Sequence, residues 1–236
     1  MKTLTTRYQF TLADEFQEVC EVRLDPQNLD LLSDPPLQGR PWTHLSFHQC
    51  ANCPLTALDH PHCPIALQLC HIVERFDHML SFDQIHVEVV TEERTVSQLT
   101  TVQRGIGSLM GLIIATCGCP HAAFFKPMAR FHLPLASGEE TLYRATSMYL
   151  LAQYFVRKEG RQADLELDGL TRIYHNIHIV NTAIAERLRA AAERDSTVNA
   201  IVMLDMYALA LPRAIEESLQ DIRHLFTPFL AACEAP

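Results

Sequence analysis

The sequence predicts an α+β protein in which an N-terminal antiparallel sheet packs with a helical C-terminal half of about five helices. Two observations predict this class: short runs alternate apolar and polar residues before residue 101, and apolar residues recur at helical spacing after it. The 236 residues are 48% hydrophobic, which is enough for a sizeable core. We expect a strand-rich, cysteine-rich part over residues 1–136 and a helical part over 137–236, together able to form one compact domain.

The strands are predicted as two hairpins. The first has two alternating apolar sets joined by a turn near residues 13–15, namely Tyr8, Phe10 and Leu12, then Cys20, Val22 and Leu24. The second pairs an alternating strand over residues 85–89 with residues 95–101. Cys20 lies on the apolar face of its strand, so we interpret it as a core residue.

Residues 25–62 are predicted as a long loop between the first hairpin and the first helix. Pro35, Pro36 and Pro41 interrupt this stretch and leave room only for a short helix near residues 29–32. A loop of this length buries little apolar surface of its own. We therefore expect something to anchor it, and a bound metal ion would do so.

The predicted helices share an apolar stripe at three- and four-residue steps, and they cover residues 64–80, 102–116, 137–158, 170–188 and 195–226. A capping box opens the third helix, and Pro212 should kink or split the fifth. Cys63 is followed by a proline and is therefore placed at the N-terminus of the first helix. Gly118 is predicted as the C-terminal cap of the second helix, which puts Cys117 and Cys119 where that helix ends.

Six of the eight cysteines fall in two short stretches, and five of them have the spacing of metal ligands. Cys50 and Cys53 form a Cys-x-x-Cys pair that Cys63 follows, whereas Cys117 and Cys119 form the second group. One tetrahedral site needs four ligands. We predict that the first three bind a metal together with either Cys117 or Cys119, which would pin the loop to the end of the second helix.

Two histidines are weaker candidates for ligands, and two cysteines are set aside. His121 and His48 lie close enough in sequence to take the place of a thiol. Cys70 lies two helical turns, about 10 Å, from Cys63, which is too far for both to reach one zinc ion, so we assign it to core packing. Cys233 lies near the C-terminus and has no evident role.

The predicted metal is zinc, with an iron–sulfur cluster as the alternative. Four thiols, or three thiols and a histidine, suit zinc, as does a long loop that needs an anchor. An iron–sulfur cluster is indicated by Cys53, Cys63 and Cys119, each followed by proline, because Cys-Pro pairs occur in ferredoxin-type sequences. A redox-active dithiol at Cys50 and Cys53 comes third, because the strand-then-helix context of such motifs is missing.

Asp205 is unusual because helical phase places its carboxylate on the apolar face of the fifth helix. A buried carboxylate must be paired or protonated, so we expect a histidine or arginine partner from the fourth helix. That helix carries a polar stripe that includes His175 and His178. We interpret the stripe as exposed surface rather than as the lining of a pocket.

Composition and charge exclude several classes of partner. The formal charge of −9 comes from 19 basic and 28 acidic residues without any run of Lys or Arg, so nucleic acid is not expected to bind. The N-terminus lacks an apolar signal segment, and no apolar run is long enough to span a membrane. We therefore expect a cytoplasmic protein whose cysteines are reduced.

These patterns predict a cytosolic protein in which a structural zinc ion supports an interaction or ligand-binding role. The partner would be another protein, or a second copy of the chain in a dimer, bound through the C-terminal helices. The alternative is an iron–sulfur protein that acts in electron transfer or redox sensing. Enzymatic activity is not favoured, because every ligand position can be filled by cysteine and no base or nucleophile pattern accompanies the thiols.

Overall fold

The computed structural model describes residues 3–12, 17–32, 38–191 and 195–233. Within these residues it contains four strands and seven α-helices. Their order is β1 (Leu4–Leu12), β2 (Gln17–Leu24), α1 (Pro64–Phe76), β3 (Gln84–Val90), β4 (Thr95–Thr101), α2 (Val102–Thr116), α3 (Lys126–Arg130), α4 (Gly138–Lys158), α5 (Asp168–Ala191), α6 (Ser196–Ile222) and α7 (Thr227–Cys233). The predicted turn at residues 13–15 and the predicted loop prolines 35 and 36 lie outside the described residues.

The four strands form one antiparallel sheet with the order β2-β1-β3-β4. In this register Tyr8 of β1 faces Cys20 on one side and Val89 on the other. Side chains alternate across a strand, so these three residues share one face of the sheet, and all three are buried. The α+β class, the antiparallel sheet and both hairpins are therefore confirmed, as is Cys20 as a core residue.

The five predicted helices correspond to α1, α2, α4, α5 and α6. The capping box of α4 is confirmed, because the Ser137 hydroxyl accepts from the Glu140 N–H and the Glu140 carboxylate accepts from the Ser137 N–H. Gly118 follows α2 with a φ of 91°, as a helix cap requires. Helix α6 runs through Pro212 without being split. Helices α3 and α7 were not predicted, because five to seven residues are too few for a helical period to emerge.

The short helix predicted near residues 29–32 is wrong. The Asp25 side chain accepts hydrogen bonds from the N–H groups of Gln27 and Asn28, which holds this segment in a turn. Leu29 then has a φ of 59°, and Leu31 pairs with Leu24 in an isolated antiparallel bridge. The N–H groups of Leu31 and Leu32 donate to the carbonyls of Thr116 and Arg23, so this segment is bonded to other parts of the chain and not to itself as a helix.

Helix α2 lies between the sheet and α6. A Cβ added to Gly105 would lie 2.9 Å from a methyl carbon of Val87, and one added to Gly107 would lie 3.5 Å from the carbonyl oxygen of Ala200. The absence of a side chain on α2 at these two positions allows both neighbours to approach closely. Helix α1 covers the same face of the sheet, where Phe76 meets Phe10 edge to face at 4.9 Å.

One hydrophobic core extends from β1 to α6, so the strand-rich and the helical parts of the chain contribute to it together.

The predicted partner of Asp205 is confirmed, because Nδ1 of His178 in α5 lies 2.9 Å from the Asp205 carboxylate. Within the described residues, none of the helices combines the length and the apolar character that crossing a lipid bilayer requires.

A polar cluster is buried behind the sheet. The Tyr8 hydroxyl lies 2.9 Å from the Ser108 hydroxyl and also hydrogen-bonds Nε2 of His132. Burial, together with the positive charge of Arg144, lowers the pKa of His132 to about 4. The imidazole is therefore neutral in the folded protein at pH 7.

This neutral histidine predicts a loss of stability in acid. The unfolded chain takes up a proton below about pH 6.5, whereas folded His132 does so only near pH 4, so stability falls as the pH drops through that window. Between pH 7 and about pH 4.5 the free energy of unfolding should fall by roughly 2 kcal/mol less in His132→Gln than in the parent. Urea unfolding of both proteins at the two pH values measures this difference, and equal losses would contradict the assignment.

Candidate metal centre

The long loop is closed at its neck by backbone hydrogen bonds. His44 and His62 form an antiparallel bridge, and their rings lie 4.7 Å apart. The Leu45 N–H donates to the Pro61 carbonyl at 2.9 Å, and the Cys63 N–H donates to the Thr43 carbonyl at 2.8 Å. Cys63 thereby stands at the base of the loop and is the residue that precedes α1, as predicted.

The Cys50-to-Cys53 segment is a tight turn within this loop. The Cys53 N–H donates to the Cys50 carbonyl at 3.0 Å. The turn is tied to two other parts of the chain through Asn52. Its carbonyl accepts from Nε2 of His121 at 2.7 Å, and its side-chain amide donates to the backbone and side-chain oxygens of Asn176 in α5, both at 3.2 Å.

The two cysteines at the end of α2 differ in their contacts. Cys117 donates its S–H to the Ile114 carbonyl at 3.3 Å, within its own helix. Burial raises the pKa of the Cys119 thiol, but the backbone N–H groups of Ala122 and His121 approach its sulfur and act in the opposite direction. Backbone N–H groups act to lower the pKa of Cys117 as well, so the two thiols differ in their other contacts: the Cys117 S–H is bonded to the Ile114 carbonyl, whereas Cys119 lies close enough to Cys50 and Cys53 to interact with both.

Four of the predicted thiols lie within electrostatic reach of one another. Burial, together with the neighbouring thiols of Cys63, Cys53 and Cys119, raises the pKa of Cys50 to about 12. Cys63 and Cys53 likewise act to raise the pKa of Cys119. Burial raises the pKa of Cys117, where the charges of Cys119 and Cys63 act in the same direction and the backbone N–H of Cys119 acts against them. Cys50, Cys53, Cys63 and Cys119 therefore form a mutually connected set, called here the thiol cluster, and Cys117 lies at its margin.

Across the described ranges, no group of three or more His, Cys, Asp or Glu side chains already has an arrangement that could hold a metal ion. The seven cysteines whose side chains the structure describes are all free of disulfide bonds.

Arg187 of α5 also contacts this region, although it was not among the predicted site residues. Its side chain is 1% exposed and donates to the carbonyls of Trp42, His44 and Leu45 at 2.8 to 2.9 Å. Its Nε atom is buried without a hydrogen-bond partner in the described part of the protein. Burial lowers the pKa of Arg187, while Cys63, Cys50 and Cys53 act to raise it.

This arginine places a buried positive charge, with one unused N–H group, beside the thiol cluster. A signal for it does exist in the sequence, because residue 187 shares the buried face of α5 with Ile184 and Leu188. A charged residue on such a face requires buried partners.

The two histidines named as weaker candidates have other contacts. Nδ1 of His48 lies 3.0 Å from the Glu186 carboxylate, and this pair is about half exposed. His121 uses Nε2 to hold the Asn52 carbonyl, which leaves only Nδ1 without an assigned role. Cys70 is buried and 2% exposed, as expected for a core residue, and the side chain of Cys233 lies outside what the structure describes.

The chemistry of these side chains, though not their present arrangement, suits a metal that prefers sulfur ligands. Thiolates suit zinc, and they also hold iron–sulfur clusters. Either group bound to four thiolates carries net negative charge, which the Arg187 guanidinium would offset. The unused Arg187 N–H and the N–H groups at Cys119 would be available for the hydrogen bonds that ligand sulfurs commonly receive.

A family model described as Domain of unknown function (DUF6901) matches residues 5–227, which is nearly the whole chain. No curated protein and no solved structure matches the chain.

Proposed function

We propose that this chain, which belongs to the DUF6901 family, is a metal-binding protein whose metal has a structural role. The proposed ligands are the thiol cluster: Cys50, Cys53, Cys63 and Cys119. One observation carries the proposal. Three separate segments of the chain bring these thiols within electrostatic reach of one another, beside a buried guanidinium that has an unused N–H.

A structural role follows from the nature and position of these ligands. Four cysteines would fill a tetrahedral coordination shell and leave no open position for a substrate or water. The proposed ligands come from the 43–63 loop and from the segment that follows α2, and Arg187 of α5 donates to the same loop. A metal there would fix the loop in place, and its binding energy would add to folding stability.

Cys119 is proposed as the fourth ligand in preference to Cys117. We expect Cys119→Ser to lose most of the bound metal, because it removes a thiol that backbone N–H groups already support. Cys117→Ser should retain the metal, since a serine hydroxyl can also donate to the Ile114 carbonyl. Metal analysis of both purified variants decides between them, and the reverse result would exchange the two roles.

Zinc remains the proposed metal, and an iron–sulfur cluster is the second candidate. Zinc fits a closed set of four thiolates that anchors a loop. The cluster is favoured by the prolines after Cys53, Cys63 and Cys119, and by buried N–H donors near the sulfurs, which tune such clusters.

Anaerobic purification, followed by metal analysis and a visible spectrum, tests both candidates. A colourless protein with about one zinc per chain supports the proposal and excludes the cluster. Brown absorbance with iron and acid-labile sulfide would exclude zinc and support the second candidate. A reduced protein that contains no metal, and that takes up neither added zinc nor a reconstituted cluster, would overturn metal binding altogether.

The interaction role remains part of the proposal. The end of the chain leaves apolar side chains at the surface of α6, α7 and the turn between them: Met206, Leu209, Leu225, Phe226, Phe229 and Leu230. Exposed apolar residues in sequence proximity are typical of contact surfaces. They support a partner protein, or a second copy of the chain, at the C-terminal helices.

A further inference from the structure

A cavity of about 210 Å³ lies between α2, α3, α4, α5 and α6, and its lining contains no cysteine among the described residues. Most of its wall is apolar, with contributions from Leu112, Met128, Leu133, Ile177, Met203 and Leu204. An apolar cavity of about 150 Å³ is known to bind benzene, so this one has room for a somewhat larger molecule. The cavity does not involve the thiol cluster.

The wall of the cavity also carries a guanidinium without an ion-pair partner. Arg144 donates through Nη2 to the carbonyls of Met128 and Phe131, both at 2.9 Å, which close the end of α3. Among the described residues no carboxylate forms an ion pair with it, although Glu140 is close enough to interact at longer range. Burial lowers the pKa of Arg144, as expected for a cation that has lost solvent without gaining a full counter-charge.

A tyrosine hydroxyl stands near this guanidinium. Tyr174 is 5% exposed, lines the cavity and interacts electrostatically with Arg144. In the described part of the chain its hydroxyl has no hydrogen-bond partner, while its ring packs against Phe125 at 5.3 Å. The Tyr174 hydroxyl can therefore donate a hydrogen bond to a molecule that enters the cavity.

We propose that this cavity binds a small carboxylic acid of about ten heavy atoms in all, whose apolar body is either an alkyl chain or a phenyl-bearing chain. Its carboxylate would accept hydrogen bonds from Arg144 and Tyr174, and its apolar body would contact the leucine, isoleucine and methionine side chains. The planar guanidinium matches a carboxylate, and this pairing would supply the missing counter-charge.

Other head groups fit the cavity less well. Arg104 also lines the cavity and donates to the Leu135 carbonyl at 3.1 Å, so the wall carries two guanidinium groups and favours an anionic head group. A cationic head group would be repelled by Arg144. An uncharged alcohol would fill the apolar space but leave the guanidinium unpaired.

Isothermal titration calorimetry of the purified full-length chain with octanoate and 3-phenylpropanoate tests the proposal, with octan-1-ol as the matched uncharged probe. We expect at least one acid to bind with a dissociation constant of roughly 10 to 100 µM, and the alcohol to bind at least tenfold more weakly. Equal affinity for acid and alcohol, or no acid binding at roughly 1 mM, would overturn the proposal.

Three variants locate the site. Arg144→Met should weaken acid binding by roughly 10- to 100-fold and leave binding of the alcohol unchanged. Tyr174→Phe keeps the ring and should weaken acid binding by about fivefold, and it decides the matter if Arg144→Met does not fold. Ala115→Leu fills the cavity and should abolish binding of acid and alcohol alike. Unchanged acid affinity in Tyr174→Phe and in a folded Ala115→Leu would place any binding elsewhere.

Discussion

The double variant Cys50→Ser, Cys53→Ser is expected to lose its metal and to unfold at a lower temperature. A metal whose free concentration is about a thousandfold above its dissociation constant contributes about 4 kcal/mol to the free energy of unfolding. In a chain of this size that loss lowers the thermal midpoint by roughly 8 to 16 °C. The serines remove two of the four proposed ligands and leave the backbone turn at 50–53 able to form, since that turn depends on a main-chain hydrogen bond.

Metal analysis and thermal unfolding of the double variant should be compared with Cys70→Ala. Cys70 is buried in α1 and lies outside the thiol cluster, so its variant tests the loss of a buried sulfur without the loss of a ligand. We expect Cys70→Ala to keep the parental metal content. If the double variant also keeps its metal and its thermal midpoint, then neither zinc nor a cluster is held by the 43–63 loop.

Local patterns in the sequence were sufficient to predict most of the regular structure. The alternation around Tyr8 and Val87 predicts both hairpins, because the period of two follows directly from strand geometry. The capping box at Ser137 predicts where α4 begins, because its hydrogen bonds join residues only three positions apart. Signals of this kind depend on neighbours in the chain and not on the tertiary fold.

The features that escaped prediction depend on contacts between distant segments or on very short elements. Residues 29–32 have some helical spacing, but the Asp25 side chain satisfies the local N–H groups in a turn. The choice between Cys117 and Cys119 depends on how the chain runs after α2, which leaves the Cys117 S–H bonded to the Ile114 carbonyl and brings Cys119 close to Cys50. Sequence spacing alone leaves that choice open.

The cavity illustrates the same limit. Arg144 and Tyr174 lie on different helices, 30 residues apart, and each looks like an ordinary member of its helix in the sequence. Their proximity arises only when α4 and α5 both pack against α6. The partner of Asp205 was predictable because a buried carboxylate restricts the choice of partner. An arginine that pairs only with backbone carbonyls imposes no such restriction on the sequence.

The second large effect is expected at Arg187. Arg187→Met should lower the free energy of unfolding by roughly 2 to 3 kcal/mol, because the carbonyls of Trp42 and Leu45 would lose the Arg187 donor. The His44 carbonyl would lose Arg187 too, but it would keep the hydrogen bond from the Phe47 N–H. Each unpaired buried carbonyl costs about 1 to 3 kcal/mol, and relief of the desolvation of the guanidinium offsets only part of that cost.

Arg187→Met also tests whether Arg187 only anchors the loop or also stabilises the bound metal. The ligand sulfurs would lose a neighbouring positive charge, so we expect zinc to be released to a chelator about tenfold faster than from the parent. Arg187→Lys keeps the charge without the planar fork, and should therefore lose stability yet hold the metal better than the methionine variant. Glu186→Gln, at the neighbouring position, breaks only a half-exposed contact with His48 and should change neither the free energy of unfolding nor the rate of zinc release appreciably.

If Arg187→Met proved as stable as Glu186→Gln, the guanidinium would not anchor the loop. If instead it lost stability and released metal at the parental rate, its role would be confined to the three carbonyls, and the countercharge at the thiol cluster would have to come from elsewhere.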